Sequence, residues 1–249
     1  MTTNVTDQAR RAERLRGLHR DPEILHLLNV WDVASARAVA GRSDTRALAT
    51  ASAAIAAAHG YEDGEHIPIE LHLAAIARIC SAVDLPVTAD LERGYGDAHA
   101  TTAAAIRVGA VGVNLEDDLV PAEEFGDSIR AAVRAGSEAG VPVVVNARTD
   151  VYLYGGAEDD RRCAAAIDRG LAYLDAGADC VFVPGLVARE EVVRLVRALG
   201  PQRTSLLALP GLPDPATLEG LGVARLSHGP ALHRAAMALV AEYDASAPL

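Results

Sequence analysis

Only three cysteines occur in 249 residues, Cys80, Cys163 and Cys180. They are too few and too scattered for a disulfide framework or a zinc site. Each lies in an apolar pattern and reads as a buried thiol. Aromatic residues are also scarce, at 4%, so the core must be built from Ala, Val, Leu and Ile. No run approaches the ~20 apolar residues of a membrane span. The basic N-terminal stretch is not followed by the apolar segment of a signal peptide. These absences lead us to expect a soluble, cytoplasmic protein. Positive charge is in the minority, with 23 Lys and Arg against 34 Asp and Glu, for a formal charge of −11. Phosphate backbones and anionic membranes reward clustered basic residues, so neither nucleic acid nor membrane is the expected partner. A small anionic substrate is compatible with this balance, because a bound divalent cation inverts the local field.

What is present is an alternation. Short apolar runs at 27–31, 46–50, 86–90, 111–116, 142–147, 179–183, 204–209 and 223–226 read as strands. Helical patterns over 33–41, 69–82, 98–109, 123–139, 158–176, 188–199, 214–220 and 229–243 separate them. Ala-Gly-Ala at 176–178, Val-Gly-Ala at 108–110 and Ala-Gly-Val-Pro at 139–142 end helices with the glycine that accepts a left-handed backbone. Repeated strand–helix units imply a parallel sheet with right-handed crossovers. Eight units in this length predict a single α/β domain, a closed (β/α)₈ TIM-type barrel spanning 1–249. A doubly wound sheet would usually carry a glycine-rich first turn, and Gly94-Tyr95-Gly96 follows the third strand instead. Residues 1–20 read as a charged amphipathic helix packed outside the barrel.

In such a barrel the chemistry sits at the C-terminal strand ends. Asp90 and Glu92 end the third predicted strand, two residues apart, and Glu116 ends the fourth. Three carboxylates there would repel without a cation. An oxygen-only set favours Mg²⁺ or Mn²⁺ over zinc. Arg148, between Asn146 and Asp150 at the end of the fifth strand, is suited to clamp a carboxylate or phosphoryl group, or to pair with Glu116 or Asp150.

Four strings carry a family likeness: Asn29-Val-Trp-Asp-Val-Ala-Ser-Ala-Arg37, Ala89-Asp-Leu-Glu-Arg-Gly-Tyr-Gly96, Gly112-Val-Asn-Leu-Glu-Asp117 and Asn146-Ala-Arg-Thr-Asp150. In order and on the matching strands, they resemble the isocitrate lyase/phosphoenolpyruvate mutase superfamily from about residue 18 to 240. The resemblance implies Mg²⁺-dependent enzymes acting next to a 2-oxo or 2-hydroxy carboxylate through an enolate-type pyruvate fragment. It implies Asp90 as the direct metal ligand, with Glu92 (where the family more often has Asp) and Glu116 acting through water. Asp63 matches a carboxylate near the substrate, and Arg148 the substrate-binding arginine. The Ala51-Ser52 turn matches the backbone amides that receive the substrate carboxylate. Trp31 and Asp32 match a motif near the pocket floor, and Asn114 joins the substrate-binding set. Family members are commonly tetramers that exchange the last helix, so a homotetramer or homodimer is expected, with the apolar 231–241 segment packed on or swapped with a partner.

One segment departs from the pattern. The lyases carry a Lys-x-Cys-Gly loop after the residue matching Glu116, and the mutases a Lys-Thr-Asn version. Here Ala122 stands where the lysine is expected, and no cysteine follows. Glu123 or Glu124 could supply a proton, or could simply be the acidic start of a helix. His228, after the eighth strand, is a second acid–base candidate, with a cap or subunit contact as its alternative. His59 reads as structural. The leading expectation is a Mg²⁺-dependent carbon–carbon lyase or decarboxylase. A C–P hydrolase or mutase acting on a phosphonopyruvate-like substrate is the alternative, and a non-catalytic keto-acid-binding barrel is the third reading.

Overall fold

The apolar runs become strands buried on both faces, as a parallel sheet covered by helices requires. The computed structural model describes residues 5–156 and 159–243. Its first half runs α1 (Val5–Arg20), β1 (Leu25–Leu27), β2 (Asn29–Val30), α2 (Val33–Ala40), β3 (Leu48–Thr50), α3 (Ser52–Ala58), α4 (Ile69–Ala82), β4 (Val87–Asp90), α5 (Ala98–Arg107) and β5 (Gly112–Glu116). The second half runs α6 (Ala122–Glu138), β6 (Val144–Arg148), α7 (Val151–Tyr154), α8 (Asp159–Asp175), β7 (Cys180–Phe182), α9 (Arg189–Leu199), β8 (Thr204–Leu207), α10 (Pro215–Leu221), β9 (Arg225–Ser227) and α11 (Ala231–Glu242).

The sheet order is β1-β9-β8-β7-β6-β5-β4-β3-β2. β1 and β2 are two halves of one strand, interrupted only at Leu28. β1 pairs in parallel with β9, and β2 with β3. Ala49 N–H donates to the Leu28 carbonyl across the interruption at 3.4 Å. The ring closes at its first strand, and the expected (β/α)₈ barrel results.

All eight anticipated runs contribute strand, and the helix predicted over 69–82 has those bounds. The helix expected to begin at 158 begins at Asp159, residue 158 lying outside the described residues. The short helices α3 and α7 were not anticipated. α3 is Ser-Ala-Ala-Ile-Ala-Ala-Ala, which has high helix propensity but no polar face for a period to reveal. The helix-ending glycines behave as expected: Gly109 and Gly177 have φ of +108° and +107°, where any other residue is strained.

α1 lies across the N-terminal mouth of the barrel rather than along its wall. Leu15 and Ala12 are fully buried. Gln8 Nε2 donates to the Ile106 and Ala110 carbonyls at 2.7 and 2.9 Å. Arg16 Nε pairs with Asp179 Oδ1 at 2.7 Å. Burying a leucine contributes about 2 kcal/mol, so this helix is a floor and leaves the opposite mouth for chemistry. α11 differs from the other long helices, because none of its residues is buried and Met237, Leu239 and Val240 are exposed. Among the described residues, no helix is long and apolar enough to cross a membrane.

Candidate active site

The strand register sets the site. Asp90, Glu116 and Arg148 are the last residues of β4, β5 and β6, and Glu116 lies directly opposite Arg148. The mouth above them encloses a cavity of about 530 Å³ whose lining includes Asp63, Glu92, Glu116, Arg148 and Asp150. Asp90 is not part of that lining, but its charge acts on Glu92, Glu116 and Arg148, so the residues read from strand ends are brought together.

Arg148 is held by two acids. Its Nη1 pairs with Glu116 Oε2 at 2.5 Å and its Nε with Asp150 Oδ1 at 2.6 Å. Both predicted ion pairs form, and Nη2 donates to no other described residue. Burial works against this cation, yet the Glu116, Asp150 and Asp90 charges raise its pKa above the ordinary arginine value. The carboxylates show the opposite strain. Burial, reinforced by Asp90, pushes Glu116 up to about 8 in spite of Arg148. Burial and then Asp90 push Glu92 up to about 7. Asp63 is raised by burial and then by the Asp90 charge.

Asp90 is positioned from β3 and α3. Ser52 N–H and Oγ–H donate to its Oδ2 at 3.2 and 2.9 Å, and its own N–H donates to Thr50 Oγ1 at 2.9 Å. Its Oδ1 accepts nothing from the described residues. The Ala51-Ser52 amides are thus already engaged, since Ala51 N–H donates to the Val30 carbonyl at 3.1 Å. Of the two, Ser52 faces the acid cluster.

Other predicted residues sit elsewhere. Asn114 is inside the barrel, where its Oδ1 accepts from Asn146 Nδ2 at 2.9 Å. Trp31 stacks edge-on against His233 at 4.9 Å and lines a separate side cavity of about 320 Å³ with Asp32, His59 and Leu71. Asp32 caps α2, accepting from Ser35 N–H at 2.7 Å while Ser35 Oγ accepts from Asp32 N–H at 3.1 Å. That is a local folding task. His228 is not among the residues lining the acid mouth. Its ring lies 6.5 Å from that of His26, and burial followed by the His26 charge lowers its pKa. His59 ends α3 with Nδ1 on the Ile55 carbonyl at 2.9 Å, a structural role as expected. Glu123 and Glu124 are exposed in the first turn of α6, away from the mouth. Burial pushes the Cys80 and Cys180 thiols up to about 12, so neither is a poised nucleophile.

Three groups escaped the sequence reading. Asp117 is fully buried behind Glu116 and accepts from Arg169 Nη1 at 2.9 Å and Tyr173 Oη at 2.6 Å. It also accepts from the Asp150 and Leu119 amides at 3.0 and 3.1 Å. His66 lines the mouth. Glu65 and Tyr95 surround Glu92. The acidic run 62–65 was visible, but nothing in its spacing singled out Glu65.

Among the described residues, no three Asp, Glu, His or Cys side chains form a ready-made direct metal shell. The donor set instead fits a hard cation contacted by one carboxylate and otherwise by water. Asp90 has an open oxygen, the set is oxygen only, and Glu92 and Glu116 are kept from full ionisation by burial and mutual repulsion, which a cation relieves.

Comparison with known proteins agrees with this fold. The profile of the phosphoenolpyruvate phosphomutase family matches residues 15–247. A crystal structure from Burkholderia cenocepacia J2315, whose protein carries a provisional phosphonomutase assignment, superposes with a TM-score of 0.88 at 40% identity, covering 94% of this chain and 97% of that one. An uncharacterized protein of Mycobacterium tuberculosis (strain H37Rv) is 34% identical over 215 residues, 85% of this chain and 80% of its own. The oxaloacetate decarboxylase of Chromohalobacter salexigens is 29% identical over 245 residues, 92% of this chain and 82% of its own.

Proposed function

The chain belongs to the phosphoenolpyruvate phosphomutase family, within a superfamily of lyases and mutases, and from that premise we propose that it is a Mg²⁺-dependent carbon–carbon lyase or decarboxylase. Its substrate is a small 2-oxo or 2-hydroxy dicarboxylate. The observation that carries this reading is the composition of the mouth. Arg148 is the cation at its centre, and the loop that follows Glu116 offers Asp118, Leu119, Val120, Pro121 and Ala122 where the family places a lysine. The chain contains no lysine, so no other lysine of the same chain substitutes for it. Arg93, at the rim, is engaged by Glu65 at 3.3 Å and Asp118 at 3.0 Å. A transferring phosphoryl group wants several such cations, whereas a dicarboxylate held by one arginine and one divalent ion does not.

Asp90 would hold the ion through its open oxygen, with Glu92 and Glu116 hydrogen-bonded to its water. A bound divalent cation supplies Lewis-acid stabilisation of negative charge developing next to the carboxylate. Arg148 does the chain's own part. Its Nη2 donors face the same charge, and Glu116 and Asp150 fix the guanidinium so that little reorganisation is needed. Ser52 orients Asp90 and, with Asp63, borders the place where the substrate carboxylate sits. We assign the proton-handling role to none of the loop acids.

The family match and the name of the Burkholderia protein favour a second reading, hydrolysis or rearrangement of a C–P bond. Incubation with Mg²⁺ and either oxaloacetate, 2-methylisocitrate, a dimethylmalate-like acid or phosphonopyruvate separates the two. Pyruvate release without phosphate supports the lyase. Phosphate release, or turnover of phosphonopyruvate alone, would replace it with the second reading. We also propose that α11 packs against a second copy of the chain in a homodimer or homotetramer, because Met237, Leu239 and Val240 on it are left exposed by the described residues.

A further inference from the structure

Two loops close over the acid mouth, and they are joined by reciprocal bonds. Glu65 N–H donates to Glu92 Oε2. In return, Glu65 Oε1 accepts from the Arg93 and Tyr95 amides at 3.1 and 2.7 Å. Each side chain satisfies the backbone of the other loop, as a capping box does within one helix. The other Glu92 oxygen accepts from Tyr95 Oη at 3.2 Å, and His72 Nδ1 lies 2.8 Å from the same hydroxyl. His72 is fully buried. With Nδ1–H donating to Tyr95 Oη, the phenol proton is directed at Glu92, a tautomer assigned from the network. The backbone is bent to reach these partners: Glu65, Glu92 and Tyr95 have φ of +64°, +53° and +51°. Non-glycine residues hold that conformation only where their surroundings over-determine it.

We propose that Glu65 is a positioning residue of the active site, clasping the 63–66 loop to the 92–95 turn so that Asp63 is held against the metal-binding mouth. The proposal rests on the functional reading above for what the mouth does, but not for the clasp itself. Glu92 belongs to the same device. An aspartate there would be one methylene shorter, and the carboxylate that now spans to the Glu65 amide would fall back toward β4. Each Glu92 oxygen keeps a lone pair for water, so clasping and holding metal-bound water are compatible. The Arg93–Glu65 ion pair is half-exposed on the arginine side and contributes little by itself. The Arg93 and Tyr95 amide bonds to Glu65, with the Glu65 amide bond to Glu92 in return, carry the device.

The test compares Glu65→Ala with Glu65→Gln in the full chain. Glutamine loses the charge but keeps a carbonyl oxygen for both amides. In metal-free protein, amide hydrogen exchange at Glu92–Tyr95 and across the 63–66 loop should accelerate tenfold or more in Glu65→Ala and less than threefold in Glu65→Gln. With Mg²⁺ present, oxalate, a planar dicarboxylate probe, should bind at least fivefold more weakly to Glu65→Ala and nearly normally to Glu65→Gln. The melting temperature of both variants should stay within about 2 °C of the parent, which separates loosening of the clasp from failure to fold. Unchanged exchange in Glu65→Ala overturns the proposal. So do equal effects in the two variants, which would assign everything to the ion pair. If exchange responds as expected but no substrate is turned over by the parent protein, the clasp stands and the lyase reading fails.

Discussion

Replacing Asp117 with asparagine tests what fixes Arg148. Asp117 is buried to 1% exposure and ties three elements together. Oδ2 takes Arg169 Nη1 and Tyr173 Oη from α8, and Oδ1 takes the Asp150 and Leu119 amides. Every neighbour of the carboxylate is a donor. An asparagine in its place must turn its own NH₂ toward one pair of donors, whichever way it flips, and the Arg169 charge loses its counter-ion. Breaking a buried pair costs about 3–5 kcal/mol. Arg169 keeps the Val120 and Leu119 carbonyls at 2.8 and 3.2 Å, so the lower end, about 3 kcal/mol, is expected. With an unfolding entropy of roughly 2.1 cal/mol/K per residue, that lowers the melting temperature by about 6 °C. Asp118→Asn is the matched control, since its pair with Arg93 is about half exposed on both sides and should shift melting by less than about 1 °C. Where the NH₂ turns toward the Asp150 and Leu119 amides, the acid that grips Arg148 Nε moves with them, and oxalate affinity in the presence of Mg²⁺ falls as well. Scanning calorimetry and oxalate titration read the two effects. A melting shift under about 2 °C would refute the reasoning that this carboxylate is the anchor of the β5 and β6 rims.

Asp90→Ala should abolish Mg²⁺-dependent oxalate binding, and binding retained within threefold of the parent would remove Asp90 from the metal site. His19 is fully buried, and burial followed by the Arg225 charge lowers its pKa from 6.5 to about 4. The unfolded chain takes up that proton below about pH 6.5, whereas the folded chain resists until about 4. Stability is therefore complete above 6.5 and falls as pH drops through this window, by about 3 kcal/mol in all. Urea unfolding at pH 7 and 4.5 should show a smaller loss in His19→Gln, and equal losses in the two proteins would dismiss the assignment. Gly112→Ala would set a Cβ 2.7 Å from Leu15 Cδ2 and 2.9 Å from Thr88 Oγ1, prying α1 from the barrel floor at about 2 kcal/mol. Gly220→Ala, with open space around it, should be neutral or slightly stabilising by the same denaturation assay.

The barrel was legible because its signal is repeated. Eight apolar runs and the glycines that end helices each point to the same topology, and an error at one boundary does not alter it. Asp90, Glu116 and Arg148 were legible for a related reason, since a strand end is a place that can be counted to. Asp117 was not, because its meaning depends on Arg169 and Tyr173, 52 and 56 residues away. Glu65 was hidden in the same way, its partners Arg93 and Tyr95 being 28 and 30 residues distant. Asp32 is a different case. The Asp32-x-x-Ser35 spacing ahead of a helical run carries its capping role openly, and motif likeness drew attention to the pocket instead. His228 shows what position at a strand end leaves undecided. Side chains on a strand alternate between faces. Arg225 and Ser227 are hydrogen-bonded to each other at 2.8 Å and buried, which puts both on the barrel side. The same alternation sends the next residue the other way, and His228 accordingly meets His26, an exposed residue of β1. Proximity to the catalytic face selects a candidate, but strand parity decides which way it points.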